Sequence, residues 1–229
     1  LIRHFAAALV LAPLLVAPVQ AGDEAAIQTV RDLYASFAAA VKDGRGPLPA
    51  RIEAVTPAID KAFDFPAMTR VAIGPKWSSL TPEQQQAVTA AFKRTLTITY
   101  ANRLAQAAGG KFEVEPKVET RGSQRVVPSK VTTADGDDSP VDFVVNADDK
   151  IQDVLLNGDV SELAAQRTVL SKALAGGGAD GVVKFLNERA EGMIAAASAA
   201  KPAPAKADPA KADPAKTDPT KTDPAKAAQ

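Results

Sequence analysis

Residues 63–104 read FDFPAMTRVAIGPKWSSLTPEQQQAVTAAFKRTLTITYANRL, a stretch dense in large apolar and aromatic side chains. Its punctuation is helical. Phe65-Pro66 opens a short helix carrying Met68, Val71 and Ala72, and Gly74-Pro75 stops it. Thr81-Pro82-Glu83-Gln84 then forms a capping box, with Thr81 as N-cap, Pro82 at the first helical position and Gln84 reaching back. The helix it opens runs to about Ala107, with Val88, Phe92, Leu96, Tyr100 and Leu104 four apart. A strict spacing of four drifts around a 3.6-residue turn, so this stripe is wide and suits a broad surface such as a curved sheet. The stretch predicts an aromatic-lined helical hairpin, not a catalytic motif.

Two helices are expected before it. Ile27, Val30, Tyr34, Phe37 and Val41 form one apolar face between Glu24 and Val41. After the break at GRGPL, with Pro47 placed as a first helical residue, Leu48, Ile52, Val55, Ile59 and Phe63 form a second face, interrupted by Pro57. Beyond Gly109-Gly110 the period drops to two. KFEVEPKV, QRVVPSKVT, PVDFVVNA and KIQDVLL are four runs separated by turn residues, which predicts a four-stranded antiparallel meander. In the third run Val141, Phe143 and Val145 share one face, and Asp142, Val144 and Asn146 the other. Asn157-Gly158-Asp159 closes the sheet. Two helices follow, about 161–174 and 180–197, joined by Gly176-Gly177-Gly178. Helices grouped before and after an uninterrupted run of strands indicate an α+β fold.

The two ends differ from this body. LIRHFAAALVLAPLLVAPVQA places Arg3 and His4 before an apolar run, with small residues framing a cleavage site after Ala21, so residues 1–21 read as a signal peptide and the chain as exported. Residues 201–229 are built of Ala, Pro, Lys, Asp, Thr and a terminal Gln, with Lys repeating every five positions from Lys206. Lacking any apolar payload to offset the entropy of ordering, they read as a disordered tail. One domain is expected between, over residues 22–200.

Composition narrows the chemistry. Cleavage would remove His4, the only histidine, and the chain has no cysteine. Imidazole and thiolate metal sites, and Ser-His or Cys-His nucleophiles, are thereby closed, and no cofactor is expected. The 27 basic and 27 acidic residues balance, with no Lys/Arg cluster, so no nucleic-acid partner is expected.

With that order of elements in place, FDFPAMTRVAIGPKW, EQQQAVTAAFKRTLTITYANRL and DVLLNGDVSELAAQR together resemble the MlaC/toluene-tolerance family of periplasmic lipid-carrier proteins, over Ala25 to about Met193. KDGR, VVPSK, ADG and DVLLNGDVSELAAQRTVLSKAL look closest to its hopanoid-associated HpnM branch. Two positions depart from the family pattern: Ile151 stands where a Trp usually precedes Asp-Val, and Asp159 lies between the Gly and the Val-Ser. The resemblance implies several helices packed around a four-stranded antiparallel sheet, with an internal apolar cavity for acyl chains. It also implies a shuttle carrying phospholipid or a hopanoid-type lipid between inner-membrane and outer-membrane transport complexes of ABC-type or related systems.

On that implication the candidate lipid-binding residues are Val71, Trp77, Phe92, Leu96, Tyr100, Val127, Phe143, Val145 and Leu155. Each has a plainer reading. Trp77, between a Gly-Pro break and the capping box, either lines a pocket mouth or packs the hairpin. Phe92, Leu96 and Tyr100 are ordinary core positions of a long helix, and in a carrier the cavity wall and the core merge. Asp60, Asp64, Asp142 and Asp153 lie in or beside apolar runs, which invites comparison with ketosteroid-type isomerases. No spacing pairs one of them with Tyr34 or Tyr100 as acid, so an enzyme is not the expectation, and Asp64 reads as a helix N-cap or a partner for Arg70. A module whose apolar groove binds a partner protein is the alternative from a different class.

Overall fold

The computed structural model describes residues 21–44 and 46–199; the readings made for residues 1–20 and for the tail 201–229 lie outside them. Helix α1 (Ala21–Ala40) buries Ile27, Val30, Tyr34 and Phe37, the expected face. Helix α2 (Leu48–Ala62) begins one residue later than expected, because Pro47 keeps an extended conformation (φ −73°, ψ 144°) as its N-cap. Pro57 lies inside α2, which buries Val55 and Ile59 on either side of it. Asp64 caps α3 (Phe65–Ile73), its Oδ1 accepting the Ala67 amide at 3.0 Å, and its Oδ2 accepts from Asn146 Nδ2 at 3.0 Å. Gly74 ends α3 at φ 76°, yet the chain continues as a 3-10 segment, Gly74–Ser79, that carries Trp77. The capping box forms as expected: the Gln84 amide donates to Thr81 Oγ1 at 3.3 Å and the Thr81 amide to Gln84 Oε1 at 3.0 Å, opening α4 (Pro82–Ala107).

The sheet is antiparallel throughout but has seven strands where four were expected: β1 (Lys111–Val114), β2 (Glu119–Arg121), β3 (Gln124–Val127), β4 (Ser129–Thr132), β5 (Asp138–Val145), β6 (Ile151–Leu156) and β7 (Val160–Ser161). Two prolines explain most of the difference. A proline has no amide hydrogen to give a ladder. Pro116 follows the end of β1 inside the first run, with β2 forming beyond that run, and Pro128 divides the second run into β3 and β4. The halves stay aligned: β3 and β4 pair with the same edge of β5 in one register, Val127 opposite Phe143 and Lys130 opposite Pro140. β1 pairs with β4 and β2 with β3, β6 takes the other edge of β5, and β7 folds back on β6.

Helix α5 (Glu162–Ala199) follows β7 directly and is broken at Gly177 and Gly178, as the glycine triplet predicted. Gly178 stands at φ 60°, ψ −152°, a region closed to residues with a Cβ. α4 packs against α5, α2 and α3, and the Asp64 amide donates to the Ile151 carbonyl at 2.8 Å, tying the α2–α3 junction to the sheet. The result is a mixed fold of helices packed with an antiparallel sheet. No helix among the described residues is long and apolar enough to cross a membrane.

Candidate functional site

Alternation sends Val127, Phe143 and Val145 from the sheet to the face that meets the helices, where they join Phe92, Leu96 and Tyr100 of α4 in one buried cluster. Six of the nine candidate residues are thus brought together. Trp77 packs at the border of that cluster, half-buried, its carbonyl accepting from Gln85 Nε2 at 3.1 Å. Val71 and Leu155 are placed elsewhere. Val71 is 44% exposed on α3, and its carbonyl receives Arg167 Nη2 at 2.7 Å. Leu155 clusters with Val126 and Val144 on the opposite side of the sheet. The cause is a bulge: Val144 faces Asp153 but Val145 faces Ile151, so Gln152 is an extra residue that inverts the parity of β6.

The cluster is rich in rings. Tyr34 lies 5.1 Å from Phe112 and 5.5 Å from Phe143 between centroids. Phe37 lies 6.4 Å from Phe112 and 6.3 Å from Tyr100, which is 5.6 Å from Phe63. Such tilted and edge-on pairs suit the ring quadrupole. Tyr34, Phe37, Phe63 and Phe112 were not singled out as site residues from the sequence. The available signal was the Tyr34–Phe37 spacing on one helical face and Phe112 in an alternating strand.

Polar groups bound this interior at two points. Ser129 Oγ donates to the Val141 carbonyl, so its lone pair receives the Tyr34 hydroxyl at 2.8 Å. Burial pushes the Tyr34 phenol well above its ordinary pKa, the Ser129 bond opposes this, and the nearby Asp142 charge adds to it. The Tyr100 hydroxyl donates to Glu162 Oε2 at 2.7 Å, while Glu162 Oε1 meets Arg103 Nη1 at 2.9 Å. Burial first, then the Glu162 charge, hold the Tyr100 proton firmly. This trio anchors the start of α5 to α4.

The four carboxylates considered for catalysis all have structural partners. Asp60 pairs with Lys93 at 2.7 Å and Asp142 with Arg121 at 2.7 Å, Asp64 caps α3, and Asp153 receives Ser161 Oγ at 2.5 Å and the Leu163 amide at 3.2 Å. None of them meets a tyrosine hydroxyl. Among the described residues no group of three or more His, Cys, Asp or Glu is arranged to hold a metal ion.

Two grooves open on the surface. One of about 380 Å³ lies between α1, α2 and the β5–β6 turn, lined by Asp32, Leu33, Pro57, Ala58, Lys61 and Asp149. The other, about 420 Å³, runs between α1 and β1, lined by Arg31, Tyr34, Ala35, Ala38, Phe112 and Val114. Both volumes fall within the range of small-molecule sites. Neither is the enclosed cavity that the resemblance implied; six of the nine residues expected to line one pack in the main core cluster.

Comparison with protein families matches residues 28–188 to the MlaC protein family. Among solved structures, the chain is similar to a phospholipid-binding protein from Ralstonia solanacearum in complex with a phospholipid: 28% identity, a TM-score of 0.62, and coverage of 74% of this chain and 97% of that one. Comparison with curated proteins returns no match.

Proposed function

Because the chain belongs to the MlaC family, we propose that it is a periplasmic carrier that shuttles phospholipid, or a hopanoid-type lipid as in the HpnM branch, between inner-membrane and outer-membrane transport complexes. The observation that carries this reading is the likeness to a phospholipid-bound protein over nearly all of that protein's length. Physical chemistry supports the design. A two-chain lipid has about thirty methylenes, each costing about 0.8 kcal/mol to expose to water, so a free molecule does not cross an aqueous space at a useful rate.

The proposed wall of the acyl site is Phe92, Leu96, Tyr100, Val127, Phe143 and Val145, with Trp77 at its edge. Val71, exposed on α3, and Leu155, across the sheet, are left out of it. Binding requires these packed side chains to part, and the groove lined by Tyr34 and Phe112 lies at the edge of the same cluster. The carrier performs no chemistry on its cargo and takes no cofactor.

Native mass spectrometry and lipid extraction of the full chain, purified from its native envelope, test the reading. Stoichiometric co-purifying lipid is the expected result. A protein that stays empty and takes up nothing from phospholipid vesicles overturns it in favour of a module that binds a partner protein in an apolar groove.

A further inference from the structure

The α1–β1 groove is not an isolated dent. Its floor is the ring of Tyr34, itself only 4% exposed, and the half-buried ring of Phe112, and these two touch at 5.1 Å. From there the rings continue inward without a gap: Tyr34 to Phe143 at 5.5 Å, Phe112 to Phe37 at 6.4 Å, Phe37 to Tyr100 at 6.3 Å. The groove and the acyl wall are thus two ends of one aromatic path.

The walls of the groove suit a chain of methylenes. Ala35 and Ala38 on α1 are exposed and short, and Val114 faces them from β1. At the start of β1, Gly110 leaves its space to the backbone: a Cβ there would stand 1.9 Å from the Thr132 carbonyl oxygen. One cation stands at the rim. Arg31 Nη1 pairs with Glu24 at 3.0 Å, both side chains being partly in water, a pair of the kind a phosphate can replace at little cost.

α1 is held by a buried apolar face, Ile27, Val30, Leu33 and Phe37, and by polar bonds along its length. Tyr34 bonds to Ser129, Arg125 Nη2 donates to the Gly22 carbonyl at 2.7 Å, and Lys61 meets Asp32 at 2.9 Å. Beyond α1 the chain turns through Gly44 (φ 97°) and Gly46 (φ 51°).

We propose that the groove between α1 and β1 is the portal through which a phospholipid's acyl chain reaches the interior, with Tyr34 and Phe112 as the gate and Arg31 receiving the phosphate. This inference rests on the carrier reading given above. It assigns the site a ligand class, a lipid with an anionic phosphate headgroup.

The test is uptake of fluorescent phosphatidylglycerol from vesicles by the full chain and two kinds of variant. Ala38→Trp fills the groove from an exposed helical position, where the fold tolerates bulk. In the double variant Ala38→Cys/Val114→Cys, a flexible bis-maleimide linker straps α1 to β1; the chain has no other cysteine to compete. Both are expected to take up lipid about tenfold more slowly than the parent, with unchanged melting curves, and the strapped protein is expected to recover when a cleavable linker is cut. Arg31→Gln is expected to slow uptake of phosphatidylglycerol but not of diacylglycerol. If the parent takes up lipid and both blocked variants match it, the portal lies elsewhere and only this inference falls. If Arg31→Gln slows both lipids equally, the phosphate assignment falls. If the parent itself takes up no lipid, the carrier reading falls first.

Discussion

At the scale of single residues, the two tyrosines carry the clearest pH dependence. An unfolded tyrosine titrates near about pH 10. Tyr34 and Tyr100 both hold their protons above that, chiefly through burial, and for Tyr100 through the Glu162 carboxylate beside it as well. Because the folded-state pKa is raised, the associated stability is complete below the unfolded value and is lost as pH rises from about 10 toward the folded values. The expected outcome is alkaline unfolding in which tyrosinate absorbance and circular dichroism change together; tyrosinate appearing well before the loss of structure would mean that both phenols are open to solvent. Asp142 supports a different prediction. It is 4% exposed, pairs with Arg121 and accepts the Ser129 amide at 3.2 Å. Asp142→Ala strands that amide, but Arg121 keeps Glu119 at 2.9 Å, so thermal melts should show a loss of about 1–3 kcal/mol and lipid uptake should not change. Loss of uptake with stability preserved would place Asp142 in the functional machinery. The helical caps among these local features were legible in the sequence, because Thr81 with Gln84 and Asp64 with Ala67 act within one turn. Glu162 was not legible, since its value comes from Tyr100 and Arg103 on another helix.

At the scale of elements, the same distinction between local and distant causes decides what a sequence shows. The alternation of β5 was readable: Phe143 and Val145 turn inward while Asp142 and Val144 turn away. The orientation of β6 was not, because the bulge opposite Val144 and Val145 is a property of the pairing and not of KIQDVLL alone. The exposure of Val71 was not readable for a related reason; the apolar spacing of α3 is too short to tell a buried position from one whose carbonyl the Arg167 side chain reaches. The break in α5 was visible as a glycine triplet, and the structure assigns the strain to one member. Gly178→Ala should cost more than about 1 kcal/mol although a Cβ there would meet nothing, because the penalty lies in the backbone conformation. Gly176→Ala should be close to neutral, and equal melting temperatures for the two variants would sink this assignment. Leu96 on α4 tests the acyl wall directly. It is 3% exposed, so Leu96→Trp should cost about 1–3 kcal/mol in the lipid-free protein and also lower lipid occupancy. Full occupancy in that variant would make Leu96 plain core.

At the scale of the whole molecule, the order of helices and strands was enough to give the fold class, while the proposed acyl wall was not legible, because its residues pack as any core does. The tail from Lys201 to Gln229 poses the last question at this scale. Its composition offers nothing to bury, and its Lys residues, each offering about 1 kcal/mol at an anionic surface, are interleaved with Asp that offsets much of this. A segment of that composition is expected neither to complete a core nor to anchor a carrier firmly to a membrane. We therefore expect it to be a solubilising spacer. Truncation after Ala200 should leave the melting temperature, lipid occupancy and vesicle uptake unchanged. A truncated protein that melts normally yet fails to retain lipid would show instead that the tail covers the bound cargo, and the spacer reading would be replaced by that of a lid.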